Sequence, residues 1–199
     1  GFGTSPMIVG DIVVITSSQE DQKRENAAAP SESFVIGVNK KTGAILWKTP
    51  RKIDTTSYSV PCLRKGPGGD ELVMCTTAEG FFALNPLDGK EIWSKALGAM
   101  AADDRGPGPR GTPTVDGDRV YVLTESGDLA GLKTDGTPVW QRNILKEFNG
   151  RQLQWLISES PLVDGPHVVV SPGGSGRDGG AGIVKLDKMT GKTVWIAKE

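Results

Sequence analysis

One short pattern returns four times along the 199-residue chain and constrains its fold more than any other feature. A glycine stands four residues before a tryptophan at Gly43 and Trp47, Gly89 and Trp93, Gly136 and Trp140, and Gly191 and Trp195. The tryptophans follow one another at steps of 46, 47 and 55 residues. Ahead of each, Pro6, Pro61, Pro113 or Pro161 opens a short apolar run. A turn then leads to a second run, such as Arg119-Val120-Tyr121-Val122-Leu123. Each unit therefore reads as four short strands between turn signals. No stretch sustains a 3.6-residue apolar period, so very little helix is expected.

A four-stranded sheet cannot bury both faces alone, whereas stacked repeats bury a continuous core. Four strands per unit at a period of about 45–50 residues is the signature of a β-propeller blade. The expectation is one all-β domain over 1–199. It is a partial propeller of four four-stranded antiparallel blades, at about 3–50, 57–97, 110–145 and 158–199. The recurring tryptophan is expected on the outermost strand, packing across the seam near the tight turn of the next blade. The glycine before it supplies the positive φ that such a turn requires.

The copies resemble the pyrroloquinoline-quinone (PQQ) propeller repeat, whose pattern is Ala-x-Asp-x-x-Thr-Gly-x-x-x-Trp. The fourth copy keeps Asp187, Thr190, Gly191 and Trp195; the first keeps Thr42, Gly43 and Trp47, with Asn39 in the Asp position. The second keeps Ala83, Gly89 and Trp93, with Asn85 for Asp. The third, ending at Trp140, has a turn one residue shorter, which leaves its Asp position open. The resemblance covers essentially the whole chain. The same repeat occurs in quinoprotein alcohol dehydrogenases and in the outer-membrane barrel-assembly lipoprotein, which carries no quinone. It is also found in exported bacterial propellers of unassigned role, which 108–118 and 155–165 resemble most. It implies a periplasmic or secreted protein. Relatives usually carry about seven or eight blades, within the propeller range. The four here are therefore expected to be a half-propeller, cut from a longer protein or paired in a two-chain ring. The remaining blades or a second copy would then cover the apolar faces of the terminal blades.

Composition narrows the partners. Lys plus Arg number 23 and Asp plus Glu 24, a net charge of -1, which argues against a charge-driven nucleic-acid partner. No apolar run is long enough to span a bilayer. Two cysteines exclude a disulfide-dense scaffold or four-Cys zinc site, and the single His167 excludes a multi-histidine metal centre. Gly1-Phe2-Gly3 does not read as a signal peptide.

In an up-and-down blade, the first-to-second and third-to-fourth turns share one face of the ring. Second-to-third loops and blade-to-blade links share the other. The second set holds the length here: 19–33, 98–109, 143–158 and 173–182. Long loops on a rigid scaffold are where binding residues concentrate. Arg110 and Glu159 flank the starts of innermost strands, with Tyr58 and Ser158 in similar places, so all four are expected near the mouth of the axial channel. Trp155 is the one tryptophan outside the repeat position. Trp155, Arg110 and Glu159 at a funnel mouth suit a planar or anionic ligand. The alternative is that Arg110 and Glu159 pair with each other or cap loops, and that Trp155 anchors its loop.

Other motifs carry less. Gly174 to Gly179 matches Gly-x-Gly-x-x-Gly, but a strand-like run follows where a nucleotide site needs a helix. Cys62 and Cys75 bracket a hairpin centred between Gly68 and Gly69, which would set them opposite each other. They read as two small buried thiols, with a cross-strand disulfide as the alternative. Asp116-Gly117-Asp118 lacks the further ligands of a calcium loop and reads as a hairpin turn.

The favoured function is a non-catalytic scaffold that binds a protein or glycan on the long-loop face; no catalytic residue or metal ligand is assigned. The alternative is half of a PQQ- and Ca²⁺-dependent alcohol or sugar dehydrogenase. That chemistry needs a carboxylate base, acidic or amide calcium ligands and a flat aromatic floor, for which Glu159, Asp103 and Trp155 are the candidates. A partial repeat product with no activity of its own is the third reading.

Overall fold

The computed structural model describes residues 4–18, 32–53, 56–65, 69, 80–98, 108–152, 154–173 and 179–198, and the backbone of 71–77. They form four separate four-stranded antiparallel sheets, each in chain order. The first comprises β1 (Met7–Val9), β2 (Ile12–Ser17), β3 (Ser33–Asn39) and β4 (Ile45–Arg51). The second comprises β5 (Cys62–Lys65), β6 (Glu71–Thr77), β7 (Gly80–Leu84) and β8 (Glu91–Lys95). The third holds β9 (Thr114–Asp116), β10 (Arg119–Leu123), β11 (Asp128–Lys133) and β12 (Pro138–Asn143). The fourth holds β13 (Leu162–Asp164), β14 (His167–Val170), β15 (Ala181–Asp187) and β16 (Thr193–Lys198). The one helix among the described residues is the four-residue α1 (Ile144–Glu147). The chain is a partial β-propeller.

Its core is divided among the seams. Side chains on a strand alternate between faces, so each inner blade feeds two clusters and each terminal blade one. Phe82 and Leu84 join Val14, Val35 and Trp47 between the first and second blades. Their neighbours Phe81 and Ala83 join Val120 and Val122 between the second and third. Tyr121 and Leu123 then join Val168, Val184 and Leu186 between the third and fourth.

The tryptophans stitch these seams at the Gly-turn end. Trp47 Nε1 donates to Pro86 O at 2.9 Å, Trp93 Nε1 to Thr134 O at 3.1 Å, and Trp140 Nε1 to Lys188 O at 3.0 Å. Each ring lies on the glycine of the next turn: a Cβ on Gly136 or Gly191 would stand 2.7 Å from Trp93 or Trp140, and one on Gly89 would collide with Trp47. A bulge recurs just before each tryptophan, where the register of the third and fourth strands shifts by one residue. The extra residues, Leu46, Ile92, Val139 and Val194, point to solvent, and the bulge re-aims the ring toward the seam.

The turns explain why Asn replaces Asp. Asn39 Oδ1 accepts from the N–H groups of Lys41 and Thr42, and Asn85 Oδ1 from Leu87 N–H. Asp187 Oδ1 accepts from the N–H groups of Met189 and Thr190 and from the Thr190 hydroxyl. An amide oxygen serves this role as well as a carboxylate does. The short third turn differs. Lys133 occupies the strand position of Asn39, bonding Thr137 O, and Asp135 caps Thr137 N–H from inside the turn.

The cysteine register departs from expectation. Cys62 pairs with Met74, not Cys75. The connection from Lys65 to Glu71 holds an odd number of residues, so the hairpin centres on a residue and not between two. Cys62 is a free thiol whose pKa burial pushes up to about 12.

Candidate binding site on the long-loop face

The innermost strands of neighbouring blades meet where their lead-in segments touch. Tyr58 N–H donates to Pro109 O at 2.9 Å, and Ser57 Oγ to the same oxygen at 3.1 Å. One blade further, Thr112 N–H donates to Ser160 Oγ at 2.9 Å and Thr114 Oγ1 to Pro161 O at 2.5 Å. These contacts admit no extra atoms: a Cβ on Gly108 would run into Thr56 O and one on Gly111 into Glu159 O. Tyr58, Arg110 and Glu159 thus sit on successive, mutually bonded lead-in segments. The Arg110 guanidinium lies 5.7 Å from the centre of the Tyr58 ring, a cation–π approach.

Glu159 is half-buried, and its Oε1 accepts from Ser171 N–H at 2.6 Å. Burial raises its pKa above the usual carboxylate value, and the Ser171 hydrogen bond offsets part of that. It lines a cleft of about 130 Å³ with Ser158, Ser171, Arg151, Leu156, Ile157 and Gly173. Sequence reasoning missed Arg151 and Gly173, which reach the cleft only because two loops cross closely. A Cβ on Gly173 would strike Arg151 O, and one on Gly150 would strike Pro172 O. Gly173 at φ 98 was the legible signal, as a glycine opening a loop.

The link that carries Trp155 is pinned from beneath. Ile144, Phe148 and Ile157 are buried in the cluster of the third and fourth blades. Ile157 N–H donates to Glu125 O at 3.3 Å and Gln152 Nε2 to the same oxygen at 3.2 Å. Trp155 itself is 58% exposed. The deeply buried side chains of that link are instead Ile144, Phe148 and Ile157. Ser158 Oγ donates to Trp155 O at 3.2 Å, and Leu156 between them takes φ 57, a left-handed conformation a leucine rarely adopts.

Polar burial also gathers here. Among the described residues, nine of ten buried polar or charged side chains lie at the long-loop ends of strands or in the links. They run from Thr16 and Ser17 to Thr124 and Glu125; Thr134 at a Gly turn is the exception. Two of the candidates for quinone chemistry, Glu159 and Trp155, do not share the cleft. Trp155 does not line the cleft beside Glu159, and that cleft is smaller than the roughly 300 Å³ at which small-molecule pockets begin. Among the described residues no three metal-ligating side chains cluster. Asp103 and most of Gly174 to Gly179 lie outside the described residues, and the strand after the latter is β15, not a helix. The described residues of this chain thus assemble no complete PQQ and Ca²⁺ site by themselves.

Two overlapping stretches, 1–105 and 102–199, match the family described as Outer membrane protein assembly factor BamB. The chain belongs to the BamB-type PQQ-repeat family. No curated protein matches it by sequence. Among solved structures, BamB from Moraxella catarrhalis superposes with a TM-score of 0.52 at 16% identity, covering 98% of this chain and 76% of that one. The quinohemoprotein alcohol dehydrogenase from Comamonas testosteroni gives 0.62 at 18% identity, over 100% of this chain and 35% of that enzyme. A europium-containing methanol dehydrogenase gives 0.59 at 15% identity, over 96% of this chain and 40% of its own. This BamB-type chain thus spans most of the BamB structure and less than half of either dehydrogenase. Identities this low speak to the shared fold. No helix among the described residues is long and apolar enough to cross a membrane.

Proposed function

We propose that this chain is a non-catalytic binding module of an exported bacterial protein, acting in the periplasm or outside the cell and holding a protein or glycan on its long-loop face. The observation that carries the reading is Trp155: a large aromatic ring displayed to solvent on a link pinned by Ile144, Phe148 and Ile157. A rigid aromatic contributes contact area at little entropic cost. Beside it, the cleft of Ser158, Glu159, Ser171 and Arg151 is sized for one side chain or part of one sugar and offers both donors and an acceptor. The Tyr58–Arg110 pair extends the same face.

Peptide and glycan arrays probed with the native chain and with Trp155→Ala test this. Binding by the native chain that Trp155→Ala abolishes supports it. Binding by neither, or equally by both, overturns it. Part of a PQQ- and Ca²⁺-dependent dehydrogenase is the alternative, and only the shared fold favours it. A bound-quinone absorbance on adding PQQ and Ca²⁺ would move that reading ahead.

A further inference from the structure

The seam between the first and second blades differs from the other two in the residue that fills its outer end. Four residues after the repeat tryptophan, the second blade carries Leu97 and the third Ile144, each packed on its own seam cluster. The first blade carries Arg51 there. Its side chain is only 10% exposed. The guanidinium stands 3.7 Å from the centre of the Phe82 ring, where its counterparts place an aliphatic plug, and Nη1 donates to Glu91 Oε2 at 2.7 Å. A stacked guanidinium still presents several N–H donors at its edge. Beside it a groove of about 390 Å³ opens between the ends of β4 and β8, lined also by Lys52, Ser94 and Lys95. Three cations face one carboxylate there, a local charge of +2 on a chain whose net charge is -1. Glu91 is engaged by its neighbours: hydrogen bonds, led by Arg51 and joined by Ser94, hold its carboxyl below the usual range.

We infer that this groove binds a phosphate monoester carried on a small organic group of about sugar size. A phosphate monoester near neutral pH carries close to two negative charges, which balances the groove, whereas a carboxylate carries one. Arginine matches phosphate oxygens with its planar fork, and the two lysines add compact charges. The volume falls within the roughly 300–1,000 Å³ of small-ligand sites, more room than a bare phosphate fills. Pro50 and Ala96 supply the apolar wall for the organic part. The groove belongs to the first two blades and shares no residue with the cleft beside Glu159, so it stands apart from the binding proposed for Trp155.

Calorimetric titration of the native chain with glucose 6-phosphate, inorganic phosphate, glucuronate and glucose tests the inference. Glucose 6-phosphate is expected to bind about tenfold or more tightly than inorganic phosphate or glucuronate, and glucose not at all. Its amide shift changes should centre on 50–52 and 94–96. Lys95→Gln, an exposed change, is expected to weaken binding by about tenfold. Arg51→Leu installs the aliphatic plug of the other seams and is expected to abolish binding, with circular dichroism showing that the variant folds. Trp155→Ala should bind glucose 6-phosphate as the native chain does. No binding of glucose 6-phosphate, equal affinity for inorganic phosphate or glucuronate, or binding indifferent to both Arg51→Leu and Lys95→Gln would each overturn the inference. So would loss of binding in Trp155→Ala. Attachment to phosphatidylglycerol vesicles without binding of glucose 6-phosphate would overturn it in favour of a lipid surface.

Discussion

At the Gly-turn end the first, second and fourth blades repeat the same hydrogen bonds, glycine N–H to the carbonyl four residues back and cap residue to the next N–H groups. At the long-loop end the connections differ in length from blade to blade, and among the described residues buried polar side chains collect there instead. The same strands run between both ends, so the difference lies in what each end must satisfy. The Gly turns meet an identical partner at every seam, which selects one solution and repeats it. The described links meet a different set of partners at each seam, and they are free to differ.

The largest expected effect comes from breaking the repeated end. Trp47 is the most deeply buried of the four repeat tryptophans, and Trp47→Ala should cost ~3–5 kcal/mol of unfolding free energy. Trp93→Ala and Trp140→Ala should cost less in the same urea titrations, because their rings are only half-buried. Next comes the crossing of loops: Gly173→Ala should cost about 1–3 kcal/mol by overpacking against Arg151 O and should deform the cleft, visible as altered amide shifts at Ser171 and Arg151.

Acid should separate the two ends by sign. Hydrogen bonds, led by the Thr190 hydroxyl, hold Asp187 below the usual carboxylate range. Its stabilisation is present above the unfolded value and is lost as pH falls through the folded one. Burial holds Glu159 above that range, so it costs stability above its raised pKa and ceases to do so below the unfolded value. Asp187→Ala should therefore destabilise and Glu159→Gln stabilise at neutral pH; at pH 4 the Glu159→Gln difference should have shrunk, while the Asp187→Ala difference persists and shrinks only as pH falls below the usual aspartate value. A Glu159→Gln difference equal at neutral pH and at pH 4 would remove the distinction. The smallest effect on stability is expected for Trp155→Ala, within about 0.5 kcal/mol, although it should abolish ligand binding.

Much of the repeated end was legible in the sequence, because the spacing of Gly43 and Trp47 recurs at fixed length and each residue type has one mechanical role. The bulge at Leu46 was not. An apolar residue before a tryptophan reads as ordinary strand, and only the shifted register reveals that it is extra. Cys62 and Cys75 were misaligned by one residue because turn length alone does not decide whether a hairpin centres on a residue or between two. At the long-loop end, Tyr58 and Arg110 were found through their place before an innermost strand. Arg151 was missed because its approach to Gly173 joins loops from different positions in the chain, which no local pattern encodes.

The division of the core among three seams has a consequence for how the molecule comes apart. Among the described residues no apolar centre is shared by all four blades, so loss of one cluster does not empty the others. Stability then adds up from nearest-neighbour interfaces, as in a one-dimensional array. Pulled from its ends, such a chain yields in successive force steps, each releasing one sheet. Along evolutionary time the same independence lets whole blades be duplicated or deleted while the remaining seams hold.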